Sequence, residues 1–228
     1  MDVVTFGYNE YKFLVTNEQL GYVSEVLEAL LGHSDPYPSG IVDSIYYDTF
    51  DQRFYRQSLN GDTRKRKFRI RGYGDNRFGQ IHLKDKDLSV VRKLKDSILP
   101  VELKDQFAPY FHELQPAQPQ AETFALIQAM SQHYGLLVPV VRVRYRRRRF
   151  RLYDYRLTLD THVEIMGFSN GLDVKCNYGV LPHHVLEIKT VDSRPYLPLL
   201  GLTDLPQVSY SKFFMGINLL STGDIAVS

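Results

Sequence analysis

The sequence predicts an α+β fold: an antiparallel sheet with flanking helices, of the kind that closes into a barrel with a polar interior. Three observations lead there. Five segments alternate between apolar and charged residues, the period of a strand with one wet face. Two helical segments are available to cover the apolar faces. The charged faces are mostly basic, with only a few carboxylates among them. In "RKRKFRIRG", Phe68 and Ile70 alternate with Lys67, Arg69 and Arg71. In "QIHLKDK", Ile81 and Leu83 alternate with His82, Lys84 and Lys86. In "VLEIK", Leu186 and Ile188 alternate with Glu187 and Lys189, and in "RLTLDTHVE", Leu157, Leu159 and Thr161 alternate with Arg156, Thr158, Asp160, His162 and Glu164.

In chain order, "NEYKFLV" is a half-buried strand with Tyr11, Phe13 and Val15 on one face and Glu10 and Lys12 on the other. Asn17 caps the helix that follows, Leu20, Val23, Leu27, Leu30 and Leu31 form its apolar stripe, and Gly32 ends it. "SDPYPSG" is a loop, "IVDSIYYDT" a strand, and "TFDQRFYRQSLNGD" a connection ending in a turn. The basic strand "RKRKFRIRG" pairs with "GQIHLKDK" across the glycine-rich turn "GYGDNRFG". From Pro100 to Gly135 the pattern is helical and loop-like, with helices expected in "LKDQFAPYFHEL" and "AETFALIQAMSQHYG". "VPVVRVRYRRRRFRLYD" and "YRLTLDTHVEIM" form a hairpin, "HHVLEIKT" a last central strand, and "SYSKFFMGINLL" a C-terminal helix.

The 228 residues, 43% hydrophobic and 24% charged, are expected to form a single domain over 1–228 with a substantial core. Lys and Arg number 28 against 26 Asp and Glu, a net charge of only +2. The basicity is therefore local, unlike that of a chain coated for nucleic acid, and no nucleic-acid partner is expected. A single cysteine, Cys176, excludes an internal disulfide and reads as structural, in a loop. With no signal-peptide pattern and no apolar run of roughly 18 residues, the expected location is cytoplasmic. Association with the inner face of a membrane through a protein partner stays open. There is no phosphate-binding G-x-x-x-x-G-K-[ST] loop. His183 and His184 lack the spacing of a metal site and read as edge or loop residues.

If the sheet closes, its polar faces line a lumen. Crowded Arg and Lys side chains would repel one another there unless the lumen held anions. The accompanying carboxylates suggest that those anions are polyvalent and bound with metal.

Seven segments in order, "NEYKFLV", "SIYYDTFDQRFY", "RKFRIRGYG", "VRYRRRRF", "RLTLDTHV", "VLEIKT" and "YSKFFMGI", resemble the VTC domain. This is the catalytic domain of vacuolar transporter chaperone polyphosphate polymerases, within the CYTH or triphosphate tunnel metalloenzyme superfamily. The resemblance covers nearly the whole chain. It implies an eight-stranded antiparallel tunnel in which the γ-phosphate of ATP passes to an inorganic polyphosphate chain, with Mn²⁺ or Mg²⁺ as cofactor. ATP and polyphosphate are the implied partners. On the same resemblance, Arg69, Arg71, Lys84, Arg147, Arg156 and Lys189 match the catalytic basic wall. Lys12, Lys67, Tyr145, Ser211 and Lys212 match the substrate contacts, with Lys93 or Arg92 as a further one. Glu187 matches the metal-binding glutamate and Glu10 a carboxylate of the superfamily's N-terminal signature.

Two departures stand out. His82 occupies the place of a usual glutamate; it can touch a phosphate or a softer metal, but does not replace a carboxylate's charge. "RYRRRRFR" holds more arginines than a tunnel needs, Arg146, Arg148 and Arg149 among them. In that strand Val141 and Val143 share parity with Tyr145 and Arg147, so either a bulge intervenes or one end turns its faces. Asp160 is expected to brace a neighbouring arginine. Two rival functions remain open at this level. One is a tunnel triphosphatase acting on inorganic or organic triphosphates. The other is a non-catalytic polyphosphate- or nucleotide-binding module, which His82 keeps in view.

Overall fold

The computed structural model describes residues 8–31, 35–74, 77–88, 90–103, 107–152, 154–168, 178–193, 195, 202 and 204–223. Cys176 and Gly32 lie outside them. The described strands are β1 (Asn9–Val15), β2 (Ser39–Thr49), β3 (Arg64–Gly72), β4 (Arg77–Asp87), β5 (Val90–Glu102), β6 (Leu137–Leu152), β7 (Tyr155–Gly167), β8 (Tyr178–Val180) and β9 (His184–Thr190). Among the described residues four α-helices accompany them: α1 (Asn17–Leu31), α2 (Arg53–Leu59), α3 (Glu122–Tyr134) and α4 (Lys212–Thr222). Among these residues no helix is long and apolar enough to cross a membrane.

The fold class is α+β and the sheet is antiparallel, in the order β1-β9-β7-β6-β2-β3-β4-β5, with β8 added beside β7. Eight strands therefore form the expected path, but the path does not close. Among the described residues β1 and β5 are edges without a shared ladder. Each edge is shielded by other chain, as exposed edges usually are. Pro206 O accepts from Leu14 N and Val208 N donates to Lys12 O along β1. Ala117 N donates to Ser97 O and Leu99 N to Gln115 O along β5.

Three local readings need correction. The cap of α1 is Thr16: its hydroxyl accepts from Gln19 N, and the Gln19 side chain accepts from Thr16 N, a reciprocal capping box. The connection after β2 contains α2, whose first amides donate to the buried Asp48 carboxylate, Phe54 N at 2.9 Å and Tyr55 N at 2.8 Å. "LKDQFAPYFHEL" forms only a 3₁₀ turn, Phe111–Glu113, among its described residues. Pro109 cannot serve a helix interior, and Phe111 and Leu114 are buried as anchors. The chain then turns along the β5 edge. β5 lies mostly in a stretch to which the sequence reading gave no element, and its last residues fall in the part read as helical and loop-like; it tolerates Pro100 because it is an edge strand.

The parity conflict in β6 resolves without a bulge between Val141 and Arg147. That run pairs regularly with β2, Tyr46 opposite Val141 and Val42 opposite Tyr145. The surroundings change instead. α4 packs over the Val141 end, where a Cβ on Gly216 would sit 3.1 Å from Val141 Cγ2 and 3.3 Å from Ile165 Cδ1, so glycine admits the close approach. The irregularity falls on β7, where the register against β6 slips between Arg144 and Arg146 and His162 takes φ 52°.

Two apolar clusters hold the fold. One joins Phe68, Ile70, Ile81 and Leu83 of the basic hairpin to Phe111 and Ile127. The other joins Val23 and Leu27 of α1 to Phe13, Leu157, Leu186 and Ile188. Both place the charged faces of these strands on the opposite, inner side.

Candidate functional site

The inner faces of β3, β4 and β5 form ladder rows. Lys67 stands opposite Lys84, and Lys84 opposite Lys93. Next come Arg69, His82 and Lys95, then Arg71, Gln80 and Ser97. Across the lumen, β1 and β9 set Glu10 opposite Lys189 and Lys12 opposite Glu187. β6 contributes Tyr145 and Arg147, and the start of α4 contributes Tyr210, Ser211 and Lys212. These side chains surround one cavity of about 340 Å³. Ten Lys and Arg residues line it against two carboxylates, Glu10 and Glu187.

Every candidate residue but one reaches this cavity. Arg156 does not line it. It stands opposite Lys189 on β7, exposed, with its guanidinium 5.2 Å from the centre of the Tyr8 ring. Of the pair Lys93 and Arg92, Lys93 faces inward, while Arg92 lies opposite Asp85 on the outer side. Lys93 Nζ lies 3.3 Å from Glu10 Oε2, so a charge pair spans the two sheet edges that no ladder joins.

The carboxylates are held ionised. Burial alone would raise the Glu10 carboxyl, but Lys12, Lys84 and Lys189 outweigh it and hold it well below its usual range. Glu187 behaves likewise: burial opposes ionisation, Lys189 at 3.0 Å together with Lys12 and Arg147 favours it, and the net shift is downward. Asp160 is fully buried and receives Arg147 Nε and Nη2 at 2.6 and 2.8 Å and Lys212 Nζ at 2.6 Å. Despite burial, Lys212 and Arg147 bring its carboxyl down to about 2. Asp160 thus braces its neighbours, as expected. Lys212 Nζ also lies 4.7 Å from the centre of the Tyr145 ring.

Among the described residues, the inward cations of β3 have neutral hydrogen-bond partners only. Arg69 donates to Tyr46 Oη at 2.9 Å and meets His82 Nδ1 at 3.3 Å. Arg71 donates to Ser44 Oγ at 3.1 Å and to Tyr145 Oη at 3.5 Å. Lys67 donates to Ser211 Oγ at 2.7 Å. Burial, with Lys84, Lys12 and Arg69 nearby, pushes the Lys67 ammonium down to about 7. Burial also lowers Lys84, an effect Glu10 only partly opposes. His82 falls to about 3, through burial and then Arg69, Arg71 and Lys95. A neutral His82 that accepts from Arg69 at Nδ1 must carry its proton on Nε2, which lies 3.1 Å from Gln80 Oε1. It therefore orients Arg69 without adding charge. Ser211 caps α4 by accepting from Phe214 N at 3.3 Å, so the positive end of the helix dipole faces the cavity as well.

Three polar lining residues escaped the sequence reading: Tyr46, Lys95 and Tyr210. Strand parity was a usable signal for Tyr46. Lys95 shares parity with Lys93 and needed only the recognition of β5. Tyr210 is positioned by His183, whose Nε2 lies 3.0 Å from its hydroxyl, and no local pattern announces it. Of the surplus arginines of β6, Arg146 is exposed, and Arg148 and Arg149 make contacts outside the lumen. Arg148 pairs with Glu28 of α1, and Arg149 donates to Tyr37 O at 3.0 Å.

The family profile for the VTC domain matches residues 7–221. No curated protein matches the chain. Among solved structures, a Bacillus halodurans protein named as a candidate adenylate cyclase aligns over 90% of this chain and 94% of its own, with 17% identity and a TM-score of 0.54. A Vibrio parahaemolyticus protein of the same description aligns over 90% and 94%, with 12% identity and a TM-score of 0.46. A Pyrococcus horikoshii OT3 protein aligns over 89% and 95%, with 14% identity and a TM-score of 0.45. The first of these likenesses shows a shared tunnel-like fold.

Proposed function

Because the chain belongs to the VTC domain family, we propose that it is a polyphosphate polymerase, an ATP:polyphosphate phosphotransferase that moves the γ-phosphate of ATP onto inorganic polyphosphate. The observation that carries this reading is a cavity lined by ten basic side chains and two carboxylates, in which Lys67, Arg69 and Arg71 of β3 are held, among the described residues, by hydroxyls and a neutral histidine and by no carboxylate. Such a wall suits a ligand with several closely spaced negative charges.

Phosphoryl transfer asks mainly for positioning and charge neutralisation. Arg69, Arg71 and Arg147 offer planar forks to phosphate oxygens, while Lys84 and Lys189 act as point charges. Lys12, Lys67, Lys93, Lys212, Tyr145 and Ser211 complete the contacts, His82 orients Arg69, and Arg156 waits outside the cavity. A terminal oxygen of the polyphosphate chain attacks the γ-phosphorus. The bond from that phosphorus to the β–γ bridging oxygen breaks, and ADP leaves with the electron pair. The attacking oxygen is already anionic, so no base is needed. That suits this lumen, whose carboxylates are tied to lysines and whose one histidine among the described residues is a poor base with both ring nitrogens engaged. Attack by water would need a base.

The donor set fits Mn²⁺ or Mg²⁺. Glu10 and Glu187 lie on neighbouring strands, both ionised, and both are approached by Lys12 and Lys189. Among the described residues no group of three or more ligating side chains exists. Two carboxylates suit a cation that takes its remaining oxygens from phosphate and water. Bound there, the cation would neutralise phosphate charge.

The test is product analysis. The purified protein is incubated with ATP and Mn²⁺ or Mg²⁺, with and without a short polyphosphate primer, beside Glu187→Gln, and followed by phosphorus NMR and gel. ADP with lengthening polyphosphate, lost in the variant, is expected. Orthophosphate without polymer would make the protein a triphosphatase, and binding without turnover would make it a sensor.

A further inference from the structure

A second cavity, of about 250 Å³, lies beside the basic one. It is lined by Gln80, Lys95, Asp96, Ser97, Gln118, Gln120 and Ala121. The two cavities share Lys95, and Gln80 holds the Nε2 edge of His82, which lines the basic cavity. They thus adjoin at the rows containing Arg69, His82 and Lys95, and Arg71, Gln80 and Ser97. The carboxylates sit elsewhere, against the row of Lys67, Lys84 and Lys93, through the Lys93–Glu10 pair. Two rows span four residues, about 13 Å at the usual rise of a strand.

The chemistry of the second cavity differs from that of the first. Among the described residues Lys95 is its one cation and Asp96, whose Oδ2 accepts from Phe124 N at 3.0 Å, its one carboxylate. The rest of the polar lining is three amides and a hydroxyl, groups that offer donors and acceptors side by side without charge. Such a lining disfavours another phosphate and matches the edge of a nucleobase, which carries neutral donors and acceptors in the same plane. Glutamine amides pair with base edges in this bidentate way. The volume falls just below the roughly 300–1,000 Å³ usual for small-ligand pockets, in keeping with part of a ligand rather than a whole one.

We propose that this cavity is the nucleoside subsite of the tunnel, in which Gln118 and Gln120 read the base of a nucleoside triphosphate. The inference rests on the reading of the basic cavity as a triphosphate seat, and adds a direction to it. The nucleoside enters beside Gln80 and Ser97, its phosphates extend past Arg71 and Arg69, and the terminal phosphate reaches the Glu10 and Glu187 side, where the acceptor chain lies.

The experiment compares ATP with inorganic tripolyphosphate by calorimetry, in the wild type and in Gln118→Ala/Gln120→Ala. Both residues are exposed, so the fold should persist, which an unchanged melting temperature verifies. The wild type is expected to bind ATP about tenfold more tightly than a tripolyphosphate lacking the nucleoside, and the double variant to lose that margin. If both ligands bind and the margin is absent from the wild type, or survives in the variant, the nucleoside subsite is refuted while the triphosphate seat stands. If neither ligand binds the wild type, both readings fall together.

Discussion

The two halves of the lumen use the same cations and differ in what those cations touch. On the β6–β7 side and around β1 and β9, each basic group has a carboxylate. Asp160 serves Arg147 and Lys212, and Glu10 and Glu187 serve Lys12 and Lys189. On the β3–β4 side, Lys67, Arg69 and Arg71 reach, among the described residues, only hydroxyls and a neutral histidine. The first half is compensated within the protein and serves as scaffold. The second is left in deficit, at a cost to the unliganded fold, and an incoming polyanion removes that cost. Charge deficit, more than charge density, distinguishes the binding wall from the supporting one.

The sharpest way to break the contrast is to remove a counter-ion from the compensated half. Asp160→Asn keeps the shape but strands Lys212 and Arg147 in a buried site. It should cost about 3–5 kcal/mol of stability, read by urea denaturation. Conversely, relieving the deficit should stabilise. Lys67 carries a folded pKa of about 7, below the 10.5 of a free lysine. Between those values the unfolded chain binds the extra proton, so stability of the ligand-free protein should rise with pH from about 7 upward. The slope is at most about 1.4 kcal/mol per pH unit. Denaturation of wild type and Lys67→Met at pH 7, 8 and 9 isolates the effect: the variant should lack this part of the slope, and bound tripolyphosphate should flatten it in the wild type.

A subtler test gives the bare wall a counter-ion of its own. His82→Glu places a carboxylate between Arg69 and Lys95. Metal-free tripolyphosphate affinity should fall roughly tenfold, about 1.4 kcal/mol. Calorimetry without metal reads this directly. Smallest of all, Ser211→Ala removes the α4 cap and the Lys67 partner together, at about 1 kcal/mol of thermal stability.

The inner wall was legible because it alternates. Arg69, Arg71, Lys84, Glu187 and Lys189 each sit on strands whose apolar partners fix the inward face, and parity alone aims them. Three things were hidden for physical reasons. β5 carries Pro100 and faces water along much of its length, so its alternation looks like loop chemistry. The amides at the start of α2 are satisfied by Asp48, at the end of the preceding strand, not by the residue before the helix, so no local cap signal marks it. Val141 and Val143 appear to contradict Arg147 because the same inner face is roofed by α4, a contact between residues about 75 positions apart in sequence. Whether the sheet closes was equally out of reach, since closure depends on edges that later segments cover.

The central claim is that the β3–β4 wall is bare because it seats a polyanion. Its most direct test is metal-free calorimetry of inorganic tripolyphosphate, paired with urea denaturation, on the wild type and Arg69→Ala. The account predicts that the wild type binds and gains stability from the ligand. Arg69→Ala should lose about 10²–10³-fold in affinity, by analogy with losing one preorganised donor, and be no less stable without ligand. If Arg69→Ala binds as the wild type does, or if it unfolds more readily in the absence of ligand, the wall is a structural element and the claim is wrong.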